Sequence, residues 1–196
     1  MTSDADGEAH DILRTDPVMA GLIDTHGPLT VQPADDEFRR LVVSIVNQQL
    51  STASATAIRE RLFDHLDEVT PAAVLDADPD ALRETGLSGT KVDYLRNAAT
   101  AFRERDLTRS GLADVDDGAV VDELTRIRGV GQWTAEMYLL FVLGREDVLP
   151  LGDLAIRRGL EDLYDCDSRD EMRAVAESWR PFRSYGTRYV WAHYES

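Results

Sequence analysis

Two glycines on either side of one apolar residue are the pattern in this chain with the clearest chemical meaning. Gly129, Val130 and Gly131 follow one amphipathic segment and directly precede another that starts at Gln132. Glycine permits positive φ angles and lacks a Cβ, so the N–H groups of this turn and of the next helix can point at a phosphate. We expect Val130 to pack inward and to hold the two helices together. A helix connection that needs glycine only as a C-cap explains these residues equally well.

A carboxylate at a helix start is the second pattern that could carry chemistry. Asp153 follows Pro150 and Gly152 and opens a helical stretch. An ionised carboxylate held in place can stabilise a neighbouring cation and can orient or deprotonate a water molecule. The positive end of the helix dipole favours its charge. By itself, this pattern is explained more simply by an ordinary helix cap.

Helices must position these residues. Apolar residues recur at intervals of about 3.6 from Phe38 onward, and alternating strand patterns are nearly absent, so we predict an all-α fold. The N-terminal MTSDADGEAHD is interpreted as a frayed acidic tail, followed by a helix over residues 11–22 and a connector over 24–34. Further helices are expected from about residue 35 to 47, 51 to 66, 80 to 84, 91 to 104, 117 to 127, 132 to 143, 169 to 179 and 184 to 193, with one more beginning near 153.

The cysteine content and the hydropathy exclude several classes of protein. The single cysteine, Cys166, excludes an internal disulfide, an iron–sulfur cluster and a Cys-rich zinc site. No apolar run reaches the roughly 18 residues that a membrane span requires. We expect a cytoplasmic protein of a prokaryotic cell.

The net charge of −16 argues at first against a nucleic-acid partner, since DNA-binding domains are normally basic. However, 20 of the 21 cationic side chains are Arg, and Asp outnumbers Glu by 24 to 13. An Asp-rich, Lys-poor surface indicates a halophilic protein adapted to a salt-rich cytoplasm, where screening weakens self-repulsion. An ordinary acidic protein is the alternative. Local features must therefore identify the partner.

Several longer segments resemble one known family. LTRIRGVGQWTAEMYLLF and DVLPLGDLAIRRGL resemble the hairpin and the catalytic segment of the helix-hairpin-helix (HhH-GPD) DNA glycosylase superfamily, most closely its 3-methyladenine DNA glycosylase II branch. LVVSIVNQQLSTASATAI is similar to the wedge region of that family, GLSGTKVDYLRNAATAF to its second turn-helix, and WRPFRSYGTRYVWAHY to its C-terminal signature. The similarity covers approximately residues 36 to 194.

The resemblance implies a two-lobed helical glycosylase core without the N-terminal β domain that bacterial members often carry. Residues 1–36, an acidic tail and N-terminal segment, are expected to pack with the C-terminal lobe of residues 146–196. Residues 37–145 would form the central lobe, with the helix-hairpin-helix at 117–143. The damaged base would enter the cleft between the lobes.

The resemblance also implies the reaction. Asp153 lies 20 residues after Trp133, the spacing that this family shows before its catalytic aspartate. The bond between an alkylated purine and its sugar is weakened by the positive charge of the base, and its cleavage leaves an oxocarbenium-like sugar that a carboxylate can stabilise. Trp133 occupies the position where bifunctional members carry a Schiff-base lysine. The chain is therefore expected to be a monofunctional base excision repair glycosylase, without AP-lyase activity, acting on damaged double-stranded DNA.

Matching positions suggest a base pocket and a DNA-binding hairpin. Trp133 and Trp191 would line the pocket and stack on an electron-poor flipped base, while Met137 stands where some relatives have an aromatic residue. The residues expected to bind DNA at the hairpin are Gly129, Val130, Gly131 and Gln132.

Matching positions also suggest a wedge and a cation site. Gln48, Gln49 and Leu50 would fill the gap that a flipped base leaves, with the two glutamines bonding the orphan base. For Leu50, a core position is favoured over intercalation. A structural Na⁺ or K⁺ is expected on backbone carbonyls, and no catalytic metal or other cofactor is implied. Those carbonyls belong to Thr125, Ile127 and Val130.

Two alternatives stay open. The first is a non-catalytic helix-hairpin-helix module that binds DNA or senses lesions. The second is a glycosylase for another damaged base. The sequence leaves the lesion open among 3-methyladenine, 7-methylguanine, hypoxanthine and ethenoadenine. We expect a monomer associated with the nucleoid.

Overall fold

The computed structural model describes residues 4–196, and within this range the chain is helical and contains no strand, which confirms the predicted all-α class. The chain divides into two compact units, one of residues 34–143 and one of residues 1–33 and 144–196. Of residues 1–36, for which a tail and an N-terminal segment were predicted, the first three lie outside the described part. No helix in the described chain is long and apolar enough to span a membrane.

The unit of residues 34–143 includes the helices α3 (Glu37–Asn47), α7 (Gly89–Glu104) and α9 (Gln132–Tyr138), and it is organised around α3 and α9. The buried face of α3 consists mainly of Phe38, Leu41, Val42, Ile45 and Val46, as its periodicity predicts, and it packs against α7 and α9. Helix α9 continues into one turn of π-helix, Leu139–Leu143, which is almost entirely buried. The α-helices of this unit are α3 (Glu37–Asn47), α4 (Thr52–Leu66), α5 (Pro71–Asp76), α6 (Pro79–Glu84), α7 (Gly89–Glu104), α8 (Asp117–Thr125) and α9 (Gln132–Tyr138).

The second unit is built from both ends of the chain. Its helices are α1 (Asp4–Leu13), α2 (Pro17–His26), α10 (Leu154–Tyr164), α11 (Arg169–Ala176), a 3₁₀ turn (Glu177–Trp179) and α12 (Arg183–Tyr194). Asp16 links three of its segments. The Asp16 side chain caps α2 and accepts hydrogen bonds from the Tyr164 hydroxyl at 2.7 Å and from the fully buried Trp179 indole at 3.1 Å. Because one half-buried side chain joins α2 to Tyr164 and Trp179 through hydrogen bonds, Asp16 stabilises this unit.

The expected frayed tail is wrong for the described residues 4–11. These residues belong to α1, and Asp6 on this helix is buried and accepts a 2.9 Å hydrogen bond from the Tyr185 hydroxyl. His10 bonds the Tyr189 hydroxyl at 2.8 Å. Contacts with α12 therefore make an acidic segment helical, although its own composition indicates a tail. The helix predicted over 11–22 is correspondingly two helices, α1 and α2, with a break at residues 14–16.

Candidate functional site

The hairpin between α8 and α9 is held together by its two central residues. Gly129 has a φ of 104°, and a Cβ at this position would collide with the Tyr94 ring. Val130 is 4% exposed, so it packs inward as predicted, and its N–H bonds the Ile127 carbonyl at 2.9 Å. A glycine is therefore required at position 129 by packing against Tyr94 inside the protein. The sequence had instead suggested that this glycine allows a phosphate to approach.

Gly131 differs from Gly129. Its φ is −90°, so Gly131 does not use the positive φ that a glycine permits. It is the N-cap residue of α9 and supplies no side-chain hydrogen bond to that helix. Both Gly131 and Gln132 are exposed, and no protein atom lies within 4 Å of the position that a Cβ would take at Gly131. An open helix start of this kind is the arrangement that binds phosphate through main-chain N–H groups.

The predicted wedge is a short loop between α3 and α4, and one expectation about it is wrong. Leu50 is 38% exposed and not part of the core. The preceding residue, Gln49, is also exposed and has a φ of 57°. The left-handed conformation of Gln49 turns the chain sharply just before the exposed Leu50. Gln49 and Leu50 are thus the two candidates that face outward.

Gln48 is bound to the hairpin. Its side-chain nitrogen donates to the Gly129 carbonyl and to the Thr134 hydroxyl, both at 2.9 Å. Because both amide protons are used, Gln48 cannot also donate to an orphan base in this conformation. Its observed role is to join the wedge loop to the hairpin, a contact that sequence spacing gave no means of finding.

Lys91 was not expected in the site, and it supports the same loop. Its Nζ donates to the carbonyls of Val46 at 2.6 Å and Gln48 at 2.8 Å, at the C-terminal end of α3. Burial lowers the pKa of this amine below its ordinary value. The signal in the sequence was its uniqueness, because it is the only lysine in the chain.

Asp153 is the N-cap of α10. Its Oδ1 accepts hydrogen bonds from the N–H groups of Ala155 at 2.8 Å and Ile156 at 3.2 Å. The side chain is half-buried. Helix capping is compatible with catalysis at Asp153, because the capping bonds orient the carboxylate and the helix start favours negative charge, as a catalytic carboxylate requires.

The Trp191 indole lies against the same carboxylate. Its Nε1 is 3.4 Å from the Asp153 Oδ1, and the tryptophan is half-buried on α12. A Cβ at Gly159 of α10 would come within 2.6 Å of the Val190 side chain, so a glycine is needed there for α10 and α12 to approach closely. This close packing of the two helices brings Trp191 to Asp153.

Trp133 and Met137 belong to the other unit. They lie four residues apart on α9 and so project from the same side of that helix. Trp133 is half-buried, whereas Met137 is only 4% exposed. Met137 is thus mainly a packing residue in this conformation, and Trp133 retains the exposed surface that stacking on a base requires.

The family model for the HhH-GPD superfamily base excision DNA repair proteins matches residues 42–183, which include the wedge loop, the hairpin and Asp153. The chain belongs to this superfamily. DNA-3-methyladenine glycosylase 1 of Schizosaccharomyces pombe is 31% identical over 183 residues, covering 87% of this chain and 78% of that protein. DNA-3-methyladenine glycosylase 2 of Escherichia coli is 28% identical over 80% of this chain, which spans 57% of that protein's length.

A solved structure agrees with this membership. The S. pombe 3-methyladenine DNA glycosylase in complex with abasic DNA has a TM-score of 0.85 at 28% identity, covering 96% of this chain and 97% of that chain. The resemblance stated from the sequence motifs and the helix-hairpin-helix glycosylase fold are both confirmed.

The remaining site prediction in this HhH-GPD chain is the cation at the hairpin. The carbonyls of Thr125, Ile127 and Val130 come from one short turn, and oxygen donors of this kind suit hard monovalent cations. The Ile127 carbonyl also accepts the Val130 N–H at 2.9 Å, and its second lone pair can serve a cation. Within residues 4–196, no group of three His, Cys, Asp or Glu side chains is placed to hold a metal ion.

Proposed function

We propose that this chain is a DNA glycosylase that removes alkylated purines such as 3-methyladenine and leaves the abasic strand intact. The observation that carries the proposal is the Asp153 carboxylate, fixed by two helix N–H groups beside the Trp191 indole in a member of a base excision repair family. Its similarity to proteins that are named DNA-3-methyladenine glycosylases supports the choice of substrate.

The proposed reaction is hydrolysis of the N-glycosidic bond. The alkylated base leaves with the bonding electron pair, which neutralises its positive charge, and the sugar C1′ becomes cationic. Asp153 stabilises that cation and accepts a proton from the attacking water, so the products are a free base and an abasic sugar. The bonds to Ala155 and Ile156 keep the carboxylate in one orientation throughout.

The absence of lyase activity is proposed from the lysine content. Strand cleavage by bifunctional glycosylases needs a lysine amine that attacks C1′ and forms a Schiff base. Trp133 stands at the corresponding hairpin position, and Lys91 Nζ bonds the carbonyls of Val46 in α3 and of Gln48 in the wedge loop. The bonds that hold this Nζ inside the protein argue against Lys91 as the Schiff-base nucleophile.

The DNA contacts are proposed for the open start of α9 and for the wedge loop. The N–H groups around Gly131 and Gln132 would bind phosphate, with Na⁺ or K⁺ on the hairpin carbonyls adding positive charge. Gln49 or Leu50 would enter the gap left by the flipped base, and Trp191, beside the Asp153 carboxylate, would stack on that base. We propose that the protein acts as a monomer in a salt-rich cytoplasm.

The decisive experiment is base release from methylated duplex DNA in high-potassium buffer, with wild type and Asp153→Asn compared. Asparagine caps helices as well as aspartate, so this variant is expected to fold normally. We expect released 3-methyladenine and an uncleaved abasic strand from wild type, and a loss of about 10²- to 10⁴-fold in rate for Asp153→Asn. Asp162→Asn, an exposed change on the same helix, should keep the wild-type rate.

Three results would contradict parts of this proposal. Equal release by wild type and Asp153→Asn would remove the catalytic role of Asp153. Binding to modified DNA without release by either protein would favour a lesion-sensing module. Strand cleavage that borohydride traps as a covalent protein–DNA adduct would show lyase activity.

A further inference from the structure

Arg157 folds back onto the turn that carries Asp153. Its Nη1 lies 2.9 Å from the carbonyl oxygen of Leu151, 3.0 Å from that of Gly152 and 3.3 Å from that of Asp153. Arg157 is half-buried, whereas the adjacent Arg158 is exposed. One guanidinium therefore bonds three consecutive peptide units that end at the proposed catalytic residue.

The position of this arginine is unusual for a helix. A cation in the first turn faces the positive end of the helix dipole, so the N-terminus of α10 is an unfavourable place for a guanidinium. Hydrogen bonds from a charged donor to several carbonyls can offset that cost. The turn is otherwise held by weaker means, such as the 2.9 Å bond from the Asp153 N–H to the Pro150 carbonyl.

The three carbonyl oxygens carry partial negative charge within the turn that ends at Asp153. A guanidinium bound to those oxygens offsets this partial charge and keeps the peptide planes from rotating. Both effects act on the turn that carries Asp153.

We infer that Arg157 is the positioning residue for Asp153: by binding the Leu151, Gly152 and Asp153 carbonyls, it fixes the turn that presents the carboxylate to the sugar. The inference rests on the proposed function, because positioning has meaning only if Asp153 acts on C1′. A loss of alignment of about 1 Å can lower a catalytic rate by about 10²-fold.

The test measures chemistry and binding separately in Arg157→Met and Arg157→Lys. Single-turnover release of 3-methyladenine with saturating enzyme reports the chemical step, and anisotropy with abasic-site duplex reports the Kd. We expect Arg157→Met to slow release by about 10- to 100-fold with a Kd within about twofold of wild type. Arg157→Lys should recover part of the rate, since an ammonium can bond two carbonyls, as Lys91 does in this chain.

Arg173→Met is the matched control. It removes the same charge and a similar side chain from an exposed position on α11, where Arg173 pairs only with Asp170 among its described ionic contacts. It should leave both the rate and the Kd unchanged. Thermal unfolding of every variant identifies any loss of folding. If Arg157→Met does not fold, Arg157→Lys alone tests the inference. An intermediate rate of base release by Arg157→Lys supports the inference, and a wild-type rate overturns it.

Two further results would overturn the inference while the proposed function stands. The first is a wild-type rate for folded Arg157→Met. The second is an Arg157→Met protein whose Kd for DNA is raised at least about tenfold while its rate at saturating enzyme is unchanged. If the salt dependence of that Kd also falls by about one released ion, Arg157 is a phosphate contact. Failure of the proposed function is seen separately in proteins that retain Arg157, as equal release by wild type and Asp153→Asn.

Discussion

A side chain larger than hydrogen would collide with the protein at Gly129 but has space at Gly131. Gly129 has a φ of 104° and the Tyr94 ring fills the space where a Cβ would project. Gly131 has an ordinary φ of −90° and open space around it. Any role of Gly131 therefore lies in what approaches the hairpin from outside, while Gly129 is needed for the hairpin to form.

The two alanine variants should differ in folding. Gly129→Ala combines left-handed strain with a steric collision, and we expect a loss of roughly 2 to 5 kcal/mol in the free energy of unfolding. Gly131→Ala should change this free energy by less than about 0.5 kcal/mol. Urea unfolding of both proteins measures the difference. Similar losses in the two variants would contradict the assignment of distinct roles.

The wedge loop depends on contacts between elements. Lys91, at the start of α7, bonds the last carbonyls of α3, and the Gln48 side chain bonds the hairpin before α9. The loop that follows α3 is thus held by contacts with α7 and with the hairpin and α9. The two residues after Gln48, which are Gln49 and Leu50, are exposed. The proposed insertion of this loop into DNA would be favoured by such support, because an unsupported loop would have to become ordered during binding.

Lys91→Met should loosen this loop. Two hydrogen bonds from a charged donor are lost and two carbonyls lose their partner, so we expect a loss of about 1.5 to 3 kcal/mol in unfolding free energy. The methionine retains the apolar part of the side chain. Hydrogen exchange should increase at residues 47–51 before it increases elsewhere in the unit. Unchanged exchange in this loop would mean that Lys91 does not hold it.

How far the sequence predicts an element depends on where its stabilising contacts originate. The starts of α3, α4 and α10 were predictable because Asp36, Ser51 and Asp153 cap them locally. Helix α1 was missed because its stability depends on contacts with α12, far away in the sequence. The exposure of Leu50 and the two bonds of Gln48 were missed for the same reason, since the spacing of residues contains no information about such contacts.

The charge of the whole molecule bears on how it can bind DNA. With a net charge of −16 and one lysine, the chain has few cations to spare for phosphate, and several arginines are already occupied by the protein. Arg157 and Arg96 bond backbone carbonyls, and Arg183 bonds Asp147. Main-chain N–H groups at the start of α9 can bind phosphate without adding cationic side chains, which reconciles an acidic protein with a DNA-repair family.

The same charge predicts a stability that rises with salt. Excess carboxylates repel one another, and the Debye length falls from about 10 Å at 0.1 M salt to about 3 Å at 1 M. Between these concentrations of KCl we expect the Tm to rise by about 5 °C or more, which corresponds to roughly 2 kcal/mol for a chain of this size. Tetramethylammonium chloride is the control, because it screens charge but its cation is too large for the proposed K⁺ site on the hairpin carbonyls. An equal rise in both salts would attribute the effect to screening, and a rise in KCl alone would attribute it to bound K⁺. A flat or falling Tm in both salts would mean that the acidic surface is no adaptation to salt.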